Sequence, residues 1–367
     1  MKKNILFILH FPPPVHGSSV IGLQIKESKL INADFNTCYI NLGTSKTIDE
    51  IQKFAFTKIF RYFSILIKVL QNLIFHRPDL CYLAITAEGN PFYKDALIVL
   101  MVKIFRIKLV YHLHNKGVSN SQHKFLDNLL YQFIFKNTEV ILLSQHLYPD
   151  IQKYVNLNNV YYCPNGTKPI ENVLHSERSN DLIEILFLSN MIESKGVFIL
   201  LDACKILKEK NIPFHCTFVG GKGDISESQF LKRVIDYGLE DDVIYVGRKL
   251  GAEKDKFLAK ANIFAFPTFY EKETFGLVNL EAMQYELPII STNEGGIPDV
   301  VIDGETGYLI PQRDSIALAL KLESLILDQA IRLTMGKNGK TLYEQNFTLQ
   351  HFEDKLTEIL KKIILTA

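Results

Sequence analysis

Two glutamates, Glu273 and Glu281, stand with seven residues between them in the second half of the chain. A carboxylate only accepts hydrogen bonds and can take two hydroxyl donors at once, which suits the vicinal diols of ribose or hexose. Gly276 lies between the two glutamates, and a glycine lets a ligand approach the backbone closely. The group predicts a ligand with a phosphate between a sugar and a ribose. A capped helix with a solvated glutamate is the alternative interpretation, since paired glutamates are common.

The elements around these glutamates predict how they are positioned. Residues 264–266 form a short apolar run typical of a buried strand, and apolar residues repeat at helical spacing from Leu277 onward. The free amides and the dipole at the start of such a helix favour an anion. A phosphate bound at 276–278 would leave Glu281 within reach of a group attached to it. Glu273 would lie on the other side, in the loop.

The glutamate segment resembles the E-x7-E signature of retaining glycosyltransferases with the GT-B fold, specifically glycosyltransferase family four. The resemblance covers nearly the whole chain, and its pieces follow one another in the family's order. They are the strand 5–9, the segment 11–19, His114 after the strand 108–112, the segment 163–167, the segment 193–196, the glutamate segment and the segment 294–299. The resemblance implies an α/β chain of two Rossmann-like domains that face a cleft (the GT-B fold). It also implies metal-independent chemistry without a cofactor.

The resemblance further implies roles for individual residues. Lys195 would contact the donor diphosphate, and His114 would touch the donor sugar near its anomeric centre. Glu273 would hold a hydroxyl of that sugar, and Glu281 the ribose hydroxyls. The other donor-binding positions lie in the first strand-to-helix loop and at the start of the glutamate helix: Gly17, Phe275, Gly276 and Leu277. A plain turn glycine, a solvated lysine and a core histidine are the alternatives for Gly17, Lys195 and His114.

One position departs from the family pattern. The family usually has an arginine five residues before the lysine of the Lys–Gly pair, and this chain has Asn190 there. An amide donates a hydrogen bond but carries no charge, so stabilisation of the leaving group rests more on Lys195 and the helix amides. Arg248, which follows another predicted strand, is a candidate to replace the missing charge. We count both Asn190 and Arg248 among the donor-binding residues.

Two other patterns point to chemistry that the sequence does not support. Residues 336–341 end like a P-loop, but Thr334 occupies the position of the first glycine. His112 and His114 are two residues apart on a predicted strand and could form a metal pair. No carboxylate or third histidine accompanies them at a recognisable spacing. We therefore predict no metal site and interpret His112 as a core or supporting histidine.

Length and composition are consistent with a two-domain α/β protein. The chain has 367 residues and 47% hydrophobic content, enough for two cores, and its strand and helix patterns alternate. Five cysteines without a CxxC pair fit a reduced cytosol. The apolar run 5–9 is shorter than the ~7–15 residues of a signal-peptide core. Since no apolar run reaches the ~20 residues that span a bilayer, we expect a soluble or peripheral protein.

The domain boundary is predicted near Asn165, where a turn pair ends a strand pattern. We assign residues 1–166 to an acceptor-binding domain and 167–345 to a nucleotide-sugar-binding domain, both Rossmann-like. Residues 346–367 would form a helix that packs back toward the first domain. Charge divides at the same boundary, because residues 1–166 hold 18 lysines and arginines against 10 acids and the remainder holds 23 against 30. A basic half and an acidic half therefore underlie the net charge of +1.

Residues 53–77 account for part of the basic excess. The segment contains no acid, and large apolar side chains alternate with lysine and arginine along it. Such a helix fits an anionic membrane surface. A helix packed against its sheet with lysines reaching outward is the alternative. Basic patches also occur in nucleic-acid-binding proteins, but no such module is recognisable, so we predict no nucleic-acid partner.

The function that the resemblance implies, together with these patterns, is glycosyl transfer in bacterial surface polysaccharide synthesis, such as capsule or O-antigen. A hexosyl or N-acetylhexosaminyl group would pass from a UDP- or GDP-sugar, UDP favoured, to a glycan or polyprenyl-linked acceptor, with retention of configuration. The protein would be cytoplasmic and peripheral on the inner face of the cytoplasmic membrane. Two alternatives are a nucleotide-sugar epimerase of the same architecture and, because of Asn190, a catalytically weak binding module.

Overall fold

The chain forms two α/β units, each built on one parallel sheet. The computed structural model describes residues 2–43, 56–170 and 182–365. One unit comprises Met1–Asn165 with Gln350–Ala367, and the other comprises Gly166–Leu349. Each contains a six-stranded sheet in which every strand pairs in parallel with its neighbours. The predicted α/β class with two Rossmann-like sheets is confirmed.

The strands are short apolar runs, as expected for parallel sheets that are covered on both faces. In the first unit they are β1 (Asn4–Leu9), β2 (Asn36–Asn41), β3 (Leu80–Leu83), β4 (Lys108–Leu113), β5 (Glu139–Leu142) and β6 (Val160–Tyr162). In the second they are β7 (Ile183–Leu188), β8 (Phe214–Val219), β9 (Val243–Tyr245), β10 (Ile263–Phe266), β11 (Ile289–Thr292) and β12 (Gly307–Ile310). Every residue of β3, β7, β10 and β11 is buried.

Helices connect the strands and cover the sheets. Those of the first half are α1 (Gly17–Glu27), α2 (Lys29–Asp34), α3 (Phe56–Phe75), α4 (Gly89–Ile104), α5 (Val118–Ser121) and α6 (Phe125–Phe135). Those of the second half are α7 (Val197–Glu209), α8 (Glu227–Asp236), α9 (Ala252–Lys260), α10 (Leu277–Gln284), α11 (Ile297–Val300), α12 (Ser315–Leu327), α13 (Gln329–Asn346) and α14 (Leu349–Leu365). Short 3-10 turns occur at Gln145–Asp150, Leu157–Asn159 and Glu193–Lys195.

Strand order fixes where each sheet can bind a ligand. The orders are β2-β1-β3-β4-β5-β6 and β12-β11-β10-β7-β8-β9. In the first sheet the chain leaves β1 toward β2 but leaves β3 toward β4, so the loops after β1 and β3 diverge. The loops after β7 and β10 diverge in the same way in the second sheet. Such switch points at the carboxyl ends of parallel strands are where ligands bind in open α/β sheets.

The unit boundaries are at Asn165 and Leu349, whereas the sequence predicted 166 and 345. The second difference has a local cause. The Thr167 N–H donates to the Phe347 carbonyl at 3.0 Å, and the Leu349 N–H donates to the Thr167 carbonyl at 2.8 Å. These two bonds tie the residues before α14 to the second unit. The rest of α14 belongs to the first unit, where Lys361 pairs with Asp34 at 2.7 Å.

Candidate functional site

Two loops meet at the switch point of the second sheet, one after β7 and one after β10. The Phe269 N–H donates to the Ser194 carbonyl at 2.7 Å, which joins the loops directly. Gly196 has φ +90°, and a Cβ there would lie 2.2 Å from the Pro267 carbonyl oxygen. Glycine is therefore required for this approach. The Lys–Gly pair thus has a structural reason for its glycine, and that glycine places Lys195 beside the second loop.

Lys195 and Glu273 form an ion pair across these loops. The Lys195 Nζ donates to Glu273 Oε2 at 2.5 Å, and the two side chains are only 15% and 13% exposed. Glu273 Oε1 accepts the Gly276 N–H at 3.1 Å. The ammonium also lies 4.3 Å from the centre of the Tyr270 ring. The structure therefore fixes a positive charge, a carboxylate and the residue preceding α10 in one place.

The segment 294–299 packs closely against the loop that carries Glu273. Gly295 has φ +56°, and a Cβ there would lie 2.4 Å from the Glu273 carbonyl oxygen. The Gly296 N–H donates to the Thr274 carbonyl at 2.8 Å. The glycine pair of this segment thus holds the backbone of the glutamate loop at close range.

Helix α10 carries the remaining predicted residues of this segment. Gly276 is its left-handed N-cap and Leu277 its first residue. The Phe275 side chain is buried and packs edge-to-face on Phe347, so it serves the core. Asn279, in the first turn, is fully buried, and its amide oxygen and nitrogen have no hydrogen-bond partner among the described residues. Buried polar atoms of this kind are rare and often mark functional positions.

Glu281 lies one turn into α10 and pairs with a residue that the sequence did not indicate. Its Oε1 lies 2.8 Å from Lys254 Nζ on α9. Its Oε2 is buried and has no partner within the described part of the chain. Lys254 carries no motif, and only the strand order brings α9 next to α10. The arrangement leaves one carboxylate oxygen of Glu281 for a hydroxyl donor.

Asn190 and Arg248 lie beside each other near the loop after β8. A Cβ built on Gly221 would be 2.9 Å from Asn190 Oδ1 and 3.4 Å from Arg248 Cδ. Both side chains are exposed. The structure therefore brings the arginine next to the uncharged residue that departs from the family pattern.

The switch point of the first sheet holds a pocket of about 170 Å³. It lies between the loops after β1 and β3, and its lining includes His10, His16, Lys58, Lys94 and Asp95. Gly17, which the sequence singled out, begins α1 directly after His16 and is exposed. The sequence did not indicate His10 or His16, although both belong to the first strand-to-helix loop.

Histidines cluster at the same end of this sheet and are held neutral. His16 caps α1, because its Nδ1 accepts the Ser19 N–H at 3.4 Å. Burial, and to a lesser extent His16, lowers the pKa of His10 to about 4. His114, at the end of β4, has its pKa lowered to about 3 by burial and by His10 and His16. His112 is fully buried, and its Nδ1 is hydrogen-bonded to the Tyr82 hydroxyl. The described residues contain no cluster of three or more His, Cys, Asp or Glu side chains that could bind a metal ion.

Asp95 is the buried carboxyl group of the pocket. Its Oδ2 accepts the Thr86 N–H at 2.8 Å, and burial raises its pKa to about 7 despite that bond. Asp95 lies on the buried stripe of α4, between Phe92 and Val99. The sequence signal that could have indicated Asp95 is a single acid on the core-facing stripe of an otherwise apolar helix.

Comparison with known proteins bears on both units. Residues 172–342 match the family model described as "Glycosyl transferases group 1". The chain carries a glycosyltransferase group 1 domain. The Staphylococcus aureus capsular polysaccharide biosynthesis glycosyltransferase CapM is 32% identical over 180 residues, which are 48% of this chain and 45% of CapM. The Erwinia amylovora amylovoran biosynthesis glycosyltransferase AmsK is 31% identical over 185 residues, or 49% and 45%. The match thus spans less than half the length of these curated relatives.

A solved structure resembles the chain over nearly its whole length. Anabaena HepE, in complex with UDP and glucose, has a TM-score of 0.72 at 20% identity and covers 98% of this chain and 99% of its own. Identity this low shows the fold alone, and that fold is GT-B. The resemblance to GT-B glycosyltransferases of bacterial surface polysaccharide synthesis, predicted from the sequence, is confirmed.

Proposed function

We propose that this protein is a retaining glycosyltransferase that takes a hexosyl or N-acetylhexosaminyl group from a nucleotide-diphosphate sugar. The observation that carries the proposal is the Lys195–Glu273 pair at the β7/β10 switch point, beside the start of α10. The second unit would bind the donor and the first unit the acceptor. A UDP-sugar is favoured over a GDP-sugar because HepE, of the same fold, was solved with UDP and glucose.

Donor binding follows from the charges of the second unit. The donor diphosphate would lie on the amides of Leu277 and Val278 at the start of α10, with the Lys195 ammonium beside it. These groups stabilise the negative charge that develops on the leaving group. Arg248 would add the charge that Asn190 lacks. Glu281 would accept ribose hydroxyls through the oxygen that Lys254 does not use.

The proposed retention of configuration requires no covalent nucleophile from the protein. Glu273 already binds Lys195 and the Gly276 amide, so its carboxylate is engaged on both oxygens. In a front-face displacement the leaving phosphate takes the acceptor proton. The Glu273 carboxylate would then position Lys195 and a sugar hydroxyl. A neutral His114 would offer one hydrogen bond to the donor sugar without adding charge at the anomeric centre.

The acceptor would enter the pocket at the β1/β3 switch point. Asp95 and His16 can bind sugar hydroxyls, and Lys58 and Lys94 can bind a phosphate. A glycan carried on a polyprenyl diphosphate presents both kinds of group. The cations of the pocket are the observation that favours such an acceptor over an uncharged glycan.

A test of the activity uses a panel of UDP- and GDP-sugars with polyprenyl-linked glycan acceptors. We expect transfer from one donor, with a product whose anomeric proton coupling shows the configuration of the donor. Inverted product would refute retention, and change of the sugar without any acceptor would identify an epimerase. Donor binding without turnover would identify a binding module.

Asp95→Asn is expected to raise the KM for the acceptor about tenfold, since it replaces a charged hydrogen-bond acceptor by an amide. The pKa of Asp95 is raised to about 7, so the group is protonated below that pH and ionised above it. The wild-type kcat/KM for the acceptor should therefore rise as pH increases through about 7, and the variant should lack that step. Asp127→Asn, which changes a buried carboxyl group on α6, is the control. An unaltered pH profile in the Asp95 variant would remove this residue from the acceptor site.

We also propose that residues 53–77 contact the anionic lipids on the inner face of the cytoplasmic membrane. The structure shows helix α3 at Phe56–Phe75, and residues 53–55 lie outside the described residues. No helix within the described ranges has both the length and the apolar character needed to cross a bilayer.

Replacing Arg61 and Lys68 by glutamine is expected to weaken sedimentation with anionic vesicles, since each cation near the surface contributes about 1 kcal/mol. Lys58 stays unchanged because it lines the acceptor pocket. The melting temperature should stay within about one degree of wild type. Binding of both proteins should fall as salt is raised. Equal sedimentation of variant and wild type would show that α3 does not meet the lipid.

A further inference from the structure

Three helices of the first unit, α3, α4 and α6, lie side by side on one face of its sheet. They connect β2 to β3, β3 to β4 and β4 to β5, which all cross the sheet in one direction. Right-handed crossovers therefore place them on the same face. The Tyr62 hydroxyl of α3 donates to the Lys94 carbonyl of α4 at 2.6 Å. The Tyr93 hydroxyl of α4 donates to Asp127 of α6 at 2.5 Å.

Helix α3 is apolar on both its inner and its outer side. Val69 and Leu73 are fully buried against the unit. Phe60, Phe63 and Ile67 follow one another at helical spacing on the other side and are 75%, 56% and 56% exposed. Packing on the sheet explains the first stripe and leaves the second stripe unexplained.

Helices α4 and α6 continue this outer stripe. Leu97, Leu100 and Ile104 are exposed at helical spacing on α4, and Leu126 and Leu129 are exposed on α6. Among the side chains that the structure describes, seven large apolar ones on α3, four on α4 and four on α6 are more than a third exposed. Contiguous apolar exposure of this kind marks an interaction surface. We call the outer sides of α3, α4 and α6 the three-helix face.

The charge of the three-helix face has one sign. Between their first and last residues the three helices contain two acids, Asp95 and Asp127, and both are buried. The exposed charges of the face therefore belong to lysine and arginine. A surface that is apolar and positive complements an anionic lipid surface, because apolar side chains insert while cations bind headgroups.

A basic pocket lies at the C-terminal ends of α4 and α6. It has a volume of about 530 Å³, and its lining includes Lys103, Arg106, Lys108 and Lys136 but no acid. Lys103 donates to the Lys136 carbonyl at 2.6 Å, and its pKa is lowered by burial and by the charge of Lys136. Exposed Ile104 of the three-helix face lies next to Lys103 in the chain. Cations gathered beside an apolar surface suit a phosphate group at the depth of a lipid headgroup.

We propose that the whole three-helix face docks on an anionic phospholipid bilayer and that the basic pocket binds a headgroup phosphate. The proposal builds on the membrane contact proposed for 53–77 and is independent of the glycosyl-transfer chemistry. It differs from that contact in requiring α4 and α6, so variants in those helices and in the residues directly after them separate the two.

The experiment compares full-length variants in sedimentation with vesicles of phosphatidylcholine, with and without phosphatidylglycerol. A basic variant carries Arg106→Gln and Lys136→Gln, and an apolar variant carries Ile104→Ser and Leu129→Ser. We expect wild type to bind only the anionic vesicles. The basic variant should bind about 25-fold more weakly, from roughly fivefold per cation. The apolar variant should lose at least as much.

Matched controls change the same residue types elsewhere on the surface. Lys29→Gln with Lys337→Gln, and Ile235→Ser with Leu320→Ser, alter exposed side chains off the three-helix face and should bind as wild type does. Retained melting temperatures show that the variants fold. If the α4 and α6 variants bind like wild type while the Arg61/Lys68 variant does not, α3 alone meets the lipid and the inference is overturned. Absence of wild-type binding, or a dimer that the apolar variant dissociates in analytical ultracentrifugation, would also overturn it.

Discussion

Replacing Lys195 by alanine is expected to lower turnover of the nucleotide-sugar donor by about 100-fold or more, because it removes a charge placed where the leaving group develops its own. The lysine is held by Glu273 at 2.5 Å in a site with little exposure, so no other side chain simply takes its position. The fold should survive, since Glu273 keeps its bond from the Gly276 N–H. Steady-state kinetics with saturating donor measures the effect.

Lys232→Ala is the matched control for this prediction, because Lys232 lies in the same unit and is highly exposed. It should leave turnover unchanged. If the Lys195 variant keeps near-normal turnover, the catalytic charge must come from Arg248, and an Arg248→Ala variant would then show the loss. Normal turnover in both variants would end the proposed role of this site in catalysis.

Glu281→Gln is expected to weaken donor binding by about 1.5–3 kcal/mol, or roughly 10- to 150-fold in Kd, as a charge-assisted hydrogen bond to the ribose is lost. Calorimetric titration with the preferred donor measures it. The control is Glu286→Gln, which changes a glutamate just after the end of α10 that also pairs with a lysine, Lys340, at 2.9 Å. This variant should leave the affinity for the donor unchanged. Equal affinities for wild type and the Glu281 variant would place the ribose elsewhere.

The sequence predicted what depends on local pattern. Apolar runs that alternate with residues at helical spacing predicted the two parallel sheets. Pro267, Gly276 and Leu277 predicted the position of the loop between β10 and α10. These features depend on residues close in the chain, where backbone preferences and burial act directly.

Contacts that depend on strand order could not be predicted from local pattern. Lys195 and Glu273 are 78 residues apart and meet because β7 and β10 are neighbours. Strand order also places α9 beside α10, which brings Lys254 within 2.8 Å of Glu281. The exposed side of α3 also escaped a definite prediction, since apolar residues on both sides of a helix do not reveal which side packs on the sheet.

The central claim is that the second unit binds a nucleotide-diphosphate sugar, and thermal unfolding with a panel of UDP- and GDP-sugars tests it most directly. A donor at about 100 times its Kd adds about 2.7 kcal/mol to the free energy of unfolding, which corresponds to roughly 5–10 °C in Tm. We predict such a rise with one nucleotide sugar, a UDP-sugar by preference, and a smaller rise in Glu281→Gln at the same concentration. A panel in which no nucleotide sugar raises the Tm of the wild type would contradict the claim.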